Sequence, residues 1–126
     1  MIVLDTSVLI DALSGPRHSA DALRRVFETG ERVLVPALVL YEWLRGPRLK
    51  EELAAMEAIF PLEGVVGFGA QEAALAARLC RSVRRPRGRE MDLAIAACAI
   101  TRDAELWTLN TADFTDVPKL RLHSCP

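Results

Sequence analysis

Four carboxylates stand where an apolar strand-like run ends or a helix begins: Asp5, Glu42, Asp92 and Asp113. Asp5, for example, directly follows the apolar run 2–4. In a parallel α/β sheet the carboxyl ends of the strands lie along one edge, and ligands bind there. Four acids gathered at that edge would repel one another strongly unless divalent cations neutralised them. The pattern therefore predicts a catalytic metal site.

Each acid also has a purely structural interpretation. Asp5 could simply cap the helix that begins at Thr6, although an unpaired charge after a strand buried on both sides is costly. Glu42 could be a solvated helix residue, and Asp113 could belong to an ordinary polar turn. Asp92 precedes a segment with no polar face, which indicates a buried helix whose first turn points inward. The metal site is therefore inferred from the four acids together.

The residue types favour Mg²⁺ or Mn²⁺ over zinc. Carboxylate oxygens are the hard ligands that these ions prefer, and the sequence has no cluster of His and Cys residues. His18 and His123 lie away from every acid motif, so we expect both at the surface.

Strand-like and helical segments alternate along the chain. Strands are predicted at 1–5, 32–35 and 106–109, together with a short strand within 60–66 and a possible edge strand at 120–123. Helices are predicted at 6–13, 18–28, 36–45, 49–59, 71–85 and 90–102. Such alternation implies a parallel sheet covered by helices on both faces.

The composition indicates a single domain spanning residues 1–126. Of the 126 residues 51% are hydrophobic and the net charge is −1, so a sizeable core is expected and disorder is not. No apolar run reaches about 18 residues, which argues against a membrane span, and the N-terminus lacks the features of a signal peptide. We expect a cytoplasmic protein in which Cys80, Cys98 and Cys125 are free thiols rather than parts of a disulfide or zinc site.

Four motifs, taken in order, resemble the PIN-domain ribonucleases, and in particular the VapC-type toxins of bacterial and archaeal toxin–antitoxin pairs. The motifs are Asp5-Thr6-Ser7, the segment 41–46 around Glu42, the segment 92–97 that Asp92 opens, and the segment 108–114 that contains Asp113. No single motif is specific, but the ordered set extends over the whole chain.

This resemblance implies a three-layer α/β/α domain with a central parallel sheet of four or five strands, and a Mg²⁺- or Mn²⁺-dependent endoribonuclease. The catalytic and metal-binding acids would be Asp5, Glu42, Asp92 and Asp113. Their polar supports would be Thr6, Ser7 and Asn110. Family members often carry a further acid near position 110, and the amide found here leaves direct metal binding by Asp113 open.

The chemistry of such a metal site suggests a mechanism, and the resemblance implies partners. A metal-activated water would attack phosphorus in line and expel the 3′ oxygen, leaving a 5′-phosphate, with one or two metals involved. A cognate VapB-like antitoxin would block the site, and the chain would form a homodimer or a toxin–antitoxin hetero-oligomer. Transfer, ribosomal and messenger RNA all remain possible substrates.

Basic residues are concentrated just before Asp92, at Arg78, Arg81, Arg84, Arg85, Arg87 and Arg89. The predicted helix 71–85 would place Arg78, Arg81 and Arg85 on one face. We predict that Arg85, Arg87 and Arg89 bind RNA phosphates, the alternative being a solvated face.

Apolar residues in or beside the helices predicted within 36–59 include Leu38, Trp43 and Leu49. We predict that they contact an antitoxin helix or a second copy of the chain, the alternative being that all three belong to the core.

Other α/β classes lack a required feature. A phosphatase with an aspartyl nucleophile would need Asp-x-Asp after the first strand, where this chain has Ser7. A receiver-like signalling domain would need paired acids before its phosphorylated Asp, although Lys119 could supply its lysine. A dinucleotide-binding domain would need a glycine-rich first turn. A solitary PIN-domain nuclease in RNA processing and a non-catalytic PIN-fold binding module remain the alternatives.

Overall fold

The computed structural model describes residues 1–16 and 18–124. Strands and helices alternate in the order β1 (Ile2–Leu4), α1 (Thr6–Leu13), α2 (His18–Glu28), β2 (Val33–Leu34), α3 (Ala37–Arg45), α4 (Lys50–Ile59), α5 (Ala70–Ser82), α6 (Glu90–Thr101) and β3 (Glu105–Trp107). Single 3₁₀ turns occupy Leu62–Gly64 and Thr111–Phe114. The α/β class is therefore confirmed.

The three strands form one parallel sheet in the order β2-β1-β3. Ile2 pairs with both Val33 and Glu105, and Leu4 pairs with Trp107. All three residues of the central strand β1 are buried, as expected for a parallel sheet with both faces covered. Because β1 is central, the residue that follows it emerges in the middle of the carboxyl edge.

The predicted sheet of four or five strands is wrong in number, since the described residues form three. The segment 60–66 forms a 3₁₀ turn instead of a strand, and only Val66 makes an isolated parallel bridge, to Pro36. Pro61 and Gly64 explain this result, because both disfavour a continuous strand. The segment 120–123 likewise contributes a single bridge, between Leu122 and Leu106.

The predicted helix 71–85 is too long, because α5 ends at Ser82. Val83 has an extended backbone, and Pro86 disfavours a helical conformation at Arg85. Arg85 therefore lies in a loop and does not share a helix face with Arg78 and Arg81.

Helix α6 is the buried helix that the sequence predicts. Every residue from 93 to 99 is buried. The helix packs against α3 and α5 as well as against β1 and β3. Burial of the whole helix fixes its N-terminal turn, which carries Asp92, relative to the strand ends.

Cys98 is buried and Cys80 is half-buried, and both are free thiols, as predicted. Cys125 lies outside the described residues. The surface position expected for His123 is wrong, because its ring makes a tilted contact with that of Trp107, with centroids 5.2 Å apart, and its Nδ1 lies 3.0 Å from Glu105. Among the described residues, no helix combines the length and apolar character needed to cross a bilayer.

Candidate active site

Asp5 is held at the carboxyl end of β1 by two hydroxyl groups. Its side chain is buried and makes no capping hydrogen bond to α1, which argues against the helix-cap interpretation. Ser7 Oγ donates to Asp5 Oδ2 at 2.9 Å, and Thr108 Oγ1 donates to the same oxygen at 2.7 Å. No described residue donates to Oδ1. One oxygen is therefore fixed by the protein, while the other remains able to accept a further ligand.

The two hydroxyls that hold Asp5 also hold the chain that follows β3. Leu109 N donates to Ser7 Oγ at 3.0 Å, and Asn110 N donates to Thr108 Oγ1 at 3.0 Å. Each hydroxyl thus accepts from a backbone amide and donates to the carboxylate, so both proton positions are defined. This network aligns the carboxyl ends of β1 and β3.

Glu42 is joined to the same strand end through Thr6. The Thr6 hydroxyl is buried and donates to Glu42 Oε1 at 2.5 Å. The other oxygen, Oε2, lies 3.8 Å from the exposed guanidinium of Arg45, one turn along α3. Glu42 is therefore not a freely solvated helix residue, because a buried group of α1 fixes one of its oxygens.

Asp92 shows that the carboxylates share one electrostatic environment. Its pKa is raised from 3.8 to about 6, first by burial and then by the negative charges of Asp5, Asp113 and Glu42, with Arg89 opposing the shift. A carboxyl surrounded by other carboxylates gives up its proton reluctantly. The charges of Asp5, Asp113 and Glu42 thus all reach Asp92.

Asp113 lies in the 3₁₀ turn Thr111–Phe114 and is exposed. Its backbone oxygen accepts a 2.9 Å hydrogen bond from Arg89 Nη2. Arg89 also forms a bidentate ion pair with Asp116, at 3.0 Å and 2.6 Å. The turn is therefore attached to the residue that immediately precedes α6.

The oxygen donors match Mg²⁺ or Mn²⁺, since they include four carboxylates and no thiolate or imidazole. Within 1–16 and 18–124, however, no three Asp, Glu, His or Cys side chains are grouped closely enough to hold an ion by themselves. Mg²⁺ does not require such a cage, because proteins commonly hold it with one or two carboxylates while it keeps several waters. The site therefore fits a hydrated cation.

The polar residues that contact the acids differ in part from those expected from the sequence. Thr6 and Ser7 contact the acids through their hydroxyls, whereas Asn110 is exposed and joins the network through its backbone N–H. The sequence reasoning missed Thr108, which is buried and contacts Asp5 directly. The available signal was a hydroxyl residue placed directly after the apolar pair Leu106-Trp107.

The arginines before Asp92 fall into two groups. Arg84, Arg85 and Arg87 are exposed and form no ion pair with any described residue. Arg84 and Arg85 line an open depression of about 570 Å³ together with Arg89, Asp113 and Asp116. Arg89 differs, because its guanidinium is already paired within the protein.

The sequence model of the PIN domain family matches residues 2–120. Among curated proteins, the chain is 36% identical to ribonuclease VapC19 of Mycobacterium tuberculosis (strain ATCC 25618 / H37Rv), over 96% of this chain and 98% of that protein. It is 31% identical to ribonuclease VapC of Rickettsia bellii (strain RML369-C), over 99% and 96%. The fold also resembles that of DNA-bound VapBC from Salmonella typhimurium, with a TM-score of 0.82, 22% identity and coverage of 97% and 96%. This chain therefore belongs to the PIN domain family, and within it to the VapC ribonucleases.

Proposed function

We propose that the protein is a Mg²⁺- or Mn²⁺-dependent endoribonuclease that acts in the cytoplasm as the toxin of a toxin–antitoxin pair. The observation that carries the proposal is the environment of Asp92, whose pKa is raised first by burial and then by the charges of Asp5, Asp113 and Glu42. Such crowding is costly without a cation, and active sites are where perturbed carboxylates concentrate. The names of the curated relatives, both ribonucleases of the VapC type, support the same activity.

In this proposal the acids have separate tasks. Asp5 and Asp92 would hold the cation, and Glu42 and Asp113 would complete the set of oxygen donors around it. A bound cation lowers the pKa of a water and offsets the charge that develops on the scissile phosphate. Ser7 and Thr108 keep Asp5 in one orientation, and Thr6 does the same for Glu42. The reaction then needs no side-chain nucleophile.

The substrate approaches over basic groups beside the acids. The exposed loop arginines Arg84, Arg85 and Arg87 are free to contact phosphates. Phosphate contacts of this kind bind RNA of any sequence and make the affinity dependent on salt.

Cleavage of mixed RNA pools tests the activity. The purified chain should cut RNA with Mg²⁺ or Mn²⁺ and leave 5′-phosphate ends, and the activity should disappear with EDTA. Pools of transfer, ribosomal and messenger RNA would identify the substrate class. A wild-type chain that binds Mn²⁺ but cuts none of these pools would favour the non-catalytic binding module.

We propose that a protein partner binds the exposed part of α3 and α4. Trp43 does not belong to it, because that side chain is fully buried, with Arg48 stacked on its ring at 4.0 Å. Leu38 is only partly exposed and packs against the core, whereas Leu49 is 65% exposed. Tyr41 and Leu44 are also more than half exposed. We propose that this apolar face binds an antitoxin helix or a second copy of the chain.

A charge placed on this face tests the partner proposal. Leu44→Glu should weaken association with the product of the gene directly upstream, or shift a dimer toward monomer, while Ala77→Glu on the exposed side of α5 should not. Sedimentation of the chain alone and with that product measures both. A strict monomer that does not bind the upstream product would instead favour a solitary nuclease.

A further inference from the structure

Arg89 lies between the N-terminus of α6 and the carboxylates of Asp92, Asp113 and Asp116, whose charges favour a cation there. It lies directly before α6, where the positive end of the helix dipole repels a cation, and its side chain does not cap the helix. Its pKa is nevertheless raised, mainly by the hydrogen-bonded Asp116 carboxylate. The neighbouring carboxylates, and Asp116 above all, therefore outweigh the helix dipole and the cost of burying the guanidinium.

The contacts of Arg89 connect two parts of the proposed active site. Both terminal nitrogens donate to Asp116, at 3.0 Å and 2.6 Å, and Nη2 also donates to Asp113 O at 2.9 Å. The Arg89 backbone oxygen meanwhile accepts from Leu93 N at 2.9 Å, which begins the hydrogen bonding of α6. One residue thus ties the helix turn that carries Asp92 to the 3₁₀ turn that carries Asp113.

The same contacts leave the guanidinium little capacity for a substrate. Its side chain is 21% exposed, and three of its hydrogen bonds go to the protein. A phosphate could bind it fully only by displacing Asp116. Arg84 and Arg85 line the same depression, are exposed, and pair with no described residue.

We infer that Arg89 is a positioning residue. Asp116 holds its guanidinium, and Arg89 thereby sets the distance between the first turn of α6, which carries Asp92, and the 3₁₀ turn that carries Asp113. Phosphates in the depression contact Arg84 and Arg85 instead. This inference rests on the proposed nuclease function. It assigns to Asp116 a role in the site.

Replacing Asp116 with alanine distinguishes a positioning role of Arg89 from a phosphate-binding role, because the two roles predict different effects on kcat and on RNA affinity. If Arg89 positions the site, Asp116→Ala should lower kcat by about 10- to 100-fold and leave RNA affinity within about twofold. If Arg89 binds phosphate and Asp116 competes with it, Asp116→Ala should tighten RNA binding and preserve kcat. The second result would overturn the inference.

A double-mutant cycle tests whether Arg89 and Asp116 act through the same contact. Arg89→Ala should lower kcat about as much as Asp116→Ala, and the double variant should lower it no further, because both changes break one link. Arg89→Lys should not restore kcat, because lysine keeps the charge but lacks the planar fork. Full additivity would show that the two residues act independently, and full rescue by lysine would show that Arg89 acts by charge alone. Either result would overturn the positioning role.

Arg84→Ala/Arg85→Ala tests the phosphate contacts. In an Asp92→Asn background, which keeps the RNA intact, this pair should weaken RNA binding and reduce the slope of log K against log salt by about 0.7 per lost contact. Arg89→Ala in the same background should leave the slope unchanged. A reduced slope for Arg89→Ala alone would contradict the assignment.

The chain offers a matched control at the far end of α6. Arg121 Nη2 contacts both the carboxylate and the backbone oxygen of Asp103, at 3.0 Å and 2.8 Å, a pairing that resembles that of Arg89. Arg121→Ala should therefore leave kcat unchanged, and so should Asp103→Asn, which tolerates the positive φ of 53° at that position. Thermal unfolding of each variant would verify that all compared proteins are folded.

Hydrogen exchange of the metal-free protein tests the positioning role without measuring RNA cleavage. Arg89→Ala and Asp116→Ala should speed exchange at Thr111–Phe114, where Asp113 N is bonded to Asn110 O at 3.0 Å, and the control pair should not. Unchanged exchange in both variants would overturn the positioning role. Absence of RNA cleavage by the wild type would refute the proposed function, but the exchange result would still decide whether Arg89 holds the turn.

Discussion

Thr108 donates a 2.7 Å hydrogen bond to Asp5, although 103 positions separate the two residues in the chain. The parallel register of β1 and β3 makes this contact possible, because Leu4 pairs with Trp107 and the next residue of each strand emerges at the same edge. A strand pairing thereby becomes an orienting contact on a candidate metal ligand. Such contacts commonly fix the direction of a ligand and tune its affinity for metal.

Replacing Thr108 with valine should therefore impair metal binding while preserving the shape of the side chain. Valine cannot donate to Asp5 or accept from Asn110 N. We expect Mn²⁺ affinity to fall by about 10- to 100-fold and the free energy of unfolding to fall by about 1–3 kcal/mol. Calorimetric titration and chemical denaturation measure the two effects.

Thr29→Val is the matched control for Thr108→Val. Thr29 is exposed at the end of α2, where its hydroxyl donates to Val26 O. Equal losses of Mn²⁺ affinity in the two variants would remove the orienting role of Thr108.

Asp92→Asn should abolish metal-dependent cleavage but stabilise the metal-free protein. Because the folded-state pKa is raised from 3.8 to about 6, the ionised carboxylate destabilises the fold at pH above about 6. Each pKa unit corresponds to about 1.4 kcal/mol, and after discounting for solvent screening we expect a gain of about 1–2 kcal/mol at neutral pH. The gain should shrink as the pH falls from 6 toward 3.8, where the wild-type carboxyl becomes protonated in both states. Denaturation at several pH values measures this trend.

The activity of Asp92→Asn should fall by about 100- to 1,000-fold or more, as for loss of a group that stabilises developing charge. Asp5→Asn should likewise remove cleavage and keep the fold. Cleavage at the wild-type rate by either variant would show that the residue is not a core ligand.

Mn²⁺ should raise the melting temperature, and this effect should depend on pH. A cation that binds only the folded state stabilises it by about 2.7 kcal/mol at 100 times its dissociation constant. Protons compete with the metal for Asp92, so the increase in Tm should diminish as the pH falls through about 6. Thermal scans with Mn²⁺ and with EDTA measure it, and an equal Tm increase in Asp92→Asn would contradict this binding site.

Glu72→Gln should destabilise the protein at neutral pH more than at acidic pH. At the start of α5, Glu72 accepts a 2.8 Å hydrogen bond from Gly69 N. It also accepts hydrogen bonds from Thr101, the last residue of α6, and from Arg102, which caps that helix. The Gly69 hydrogen bond is the main cause that lowers its pKa below 4.5. Glu72 therefore stabilises the fold fully above pH 4.5, and this contribution is lost as the pH falls through the lowered pKa.

We expect Glu72→Gln to reduce the free energy of unfolding at neutral pH by about 1 kcal/mol, with a smaller difference in acid. Glu57→Gln, at an exposed position of α4, is the control. A difference between wild type and Glu72→Gln that stays constant from neutral pH into acid would refute the charged role of Glu72.

The sequence by itself determined the alternation of strands and helices, the bounds of α1 and α2, and the burial of α6. These features depend on local patterns, because apolar periodicity and residues such as Gly30 and Pro36 specify an element without reference to distant parts of the chain. The position of Asp5 at the carboxyl end of β1 was also predictable, since it directly follows an apolar run, and strand ends in a parallel sheet share an edge.

Only the tertiary structure decided which groups touch. Thr108 reaches Asp5 because of strand register, and Arg89 pairs with Asp116 because α6 packs beside the turn after β3. Trp43 is buried because α3 turns that side chain into the core. The segments 60–66 and 120–123 contribute single bridges rather than strands because few of their residues come into register with the sheet. Each of these results depends on distances between residues far apart in sequence, and such distances follow from the packing of the whole chain rather than from any local pattern.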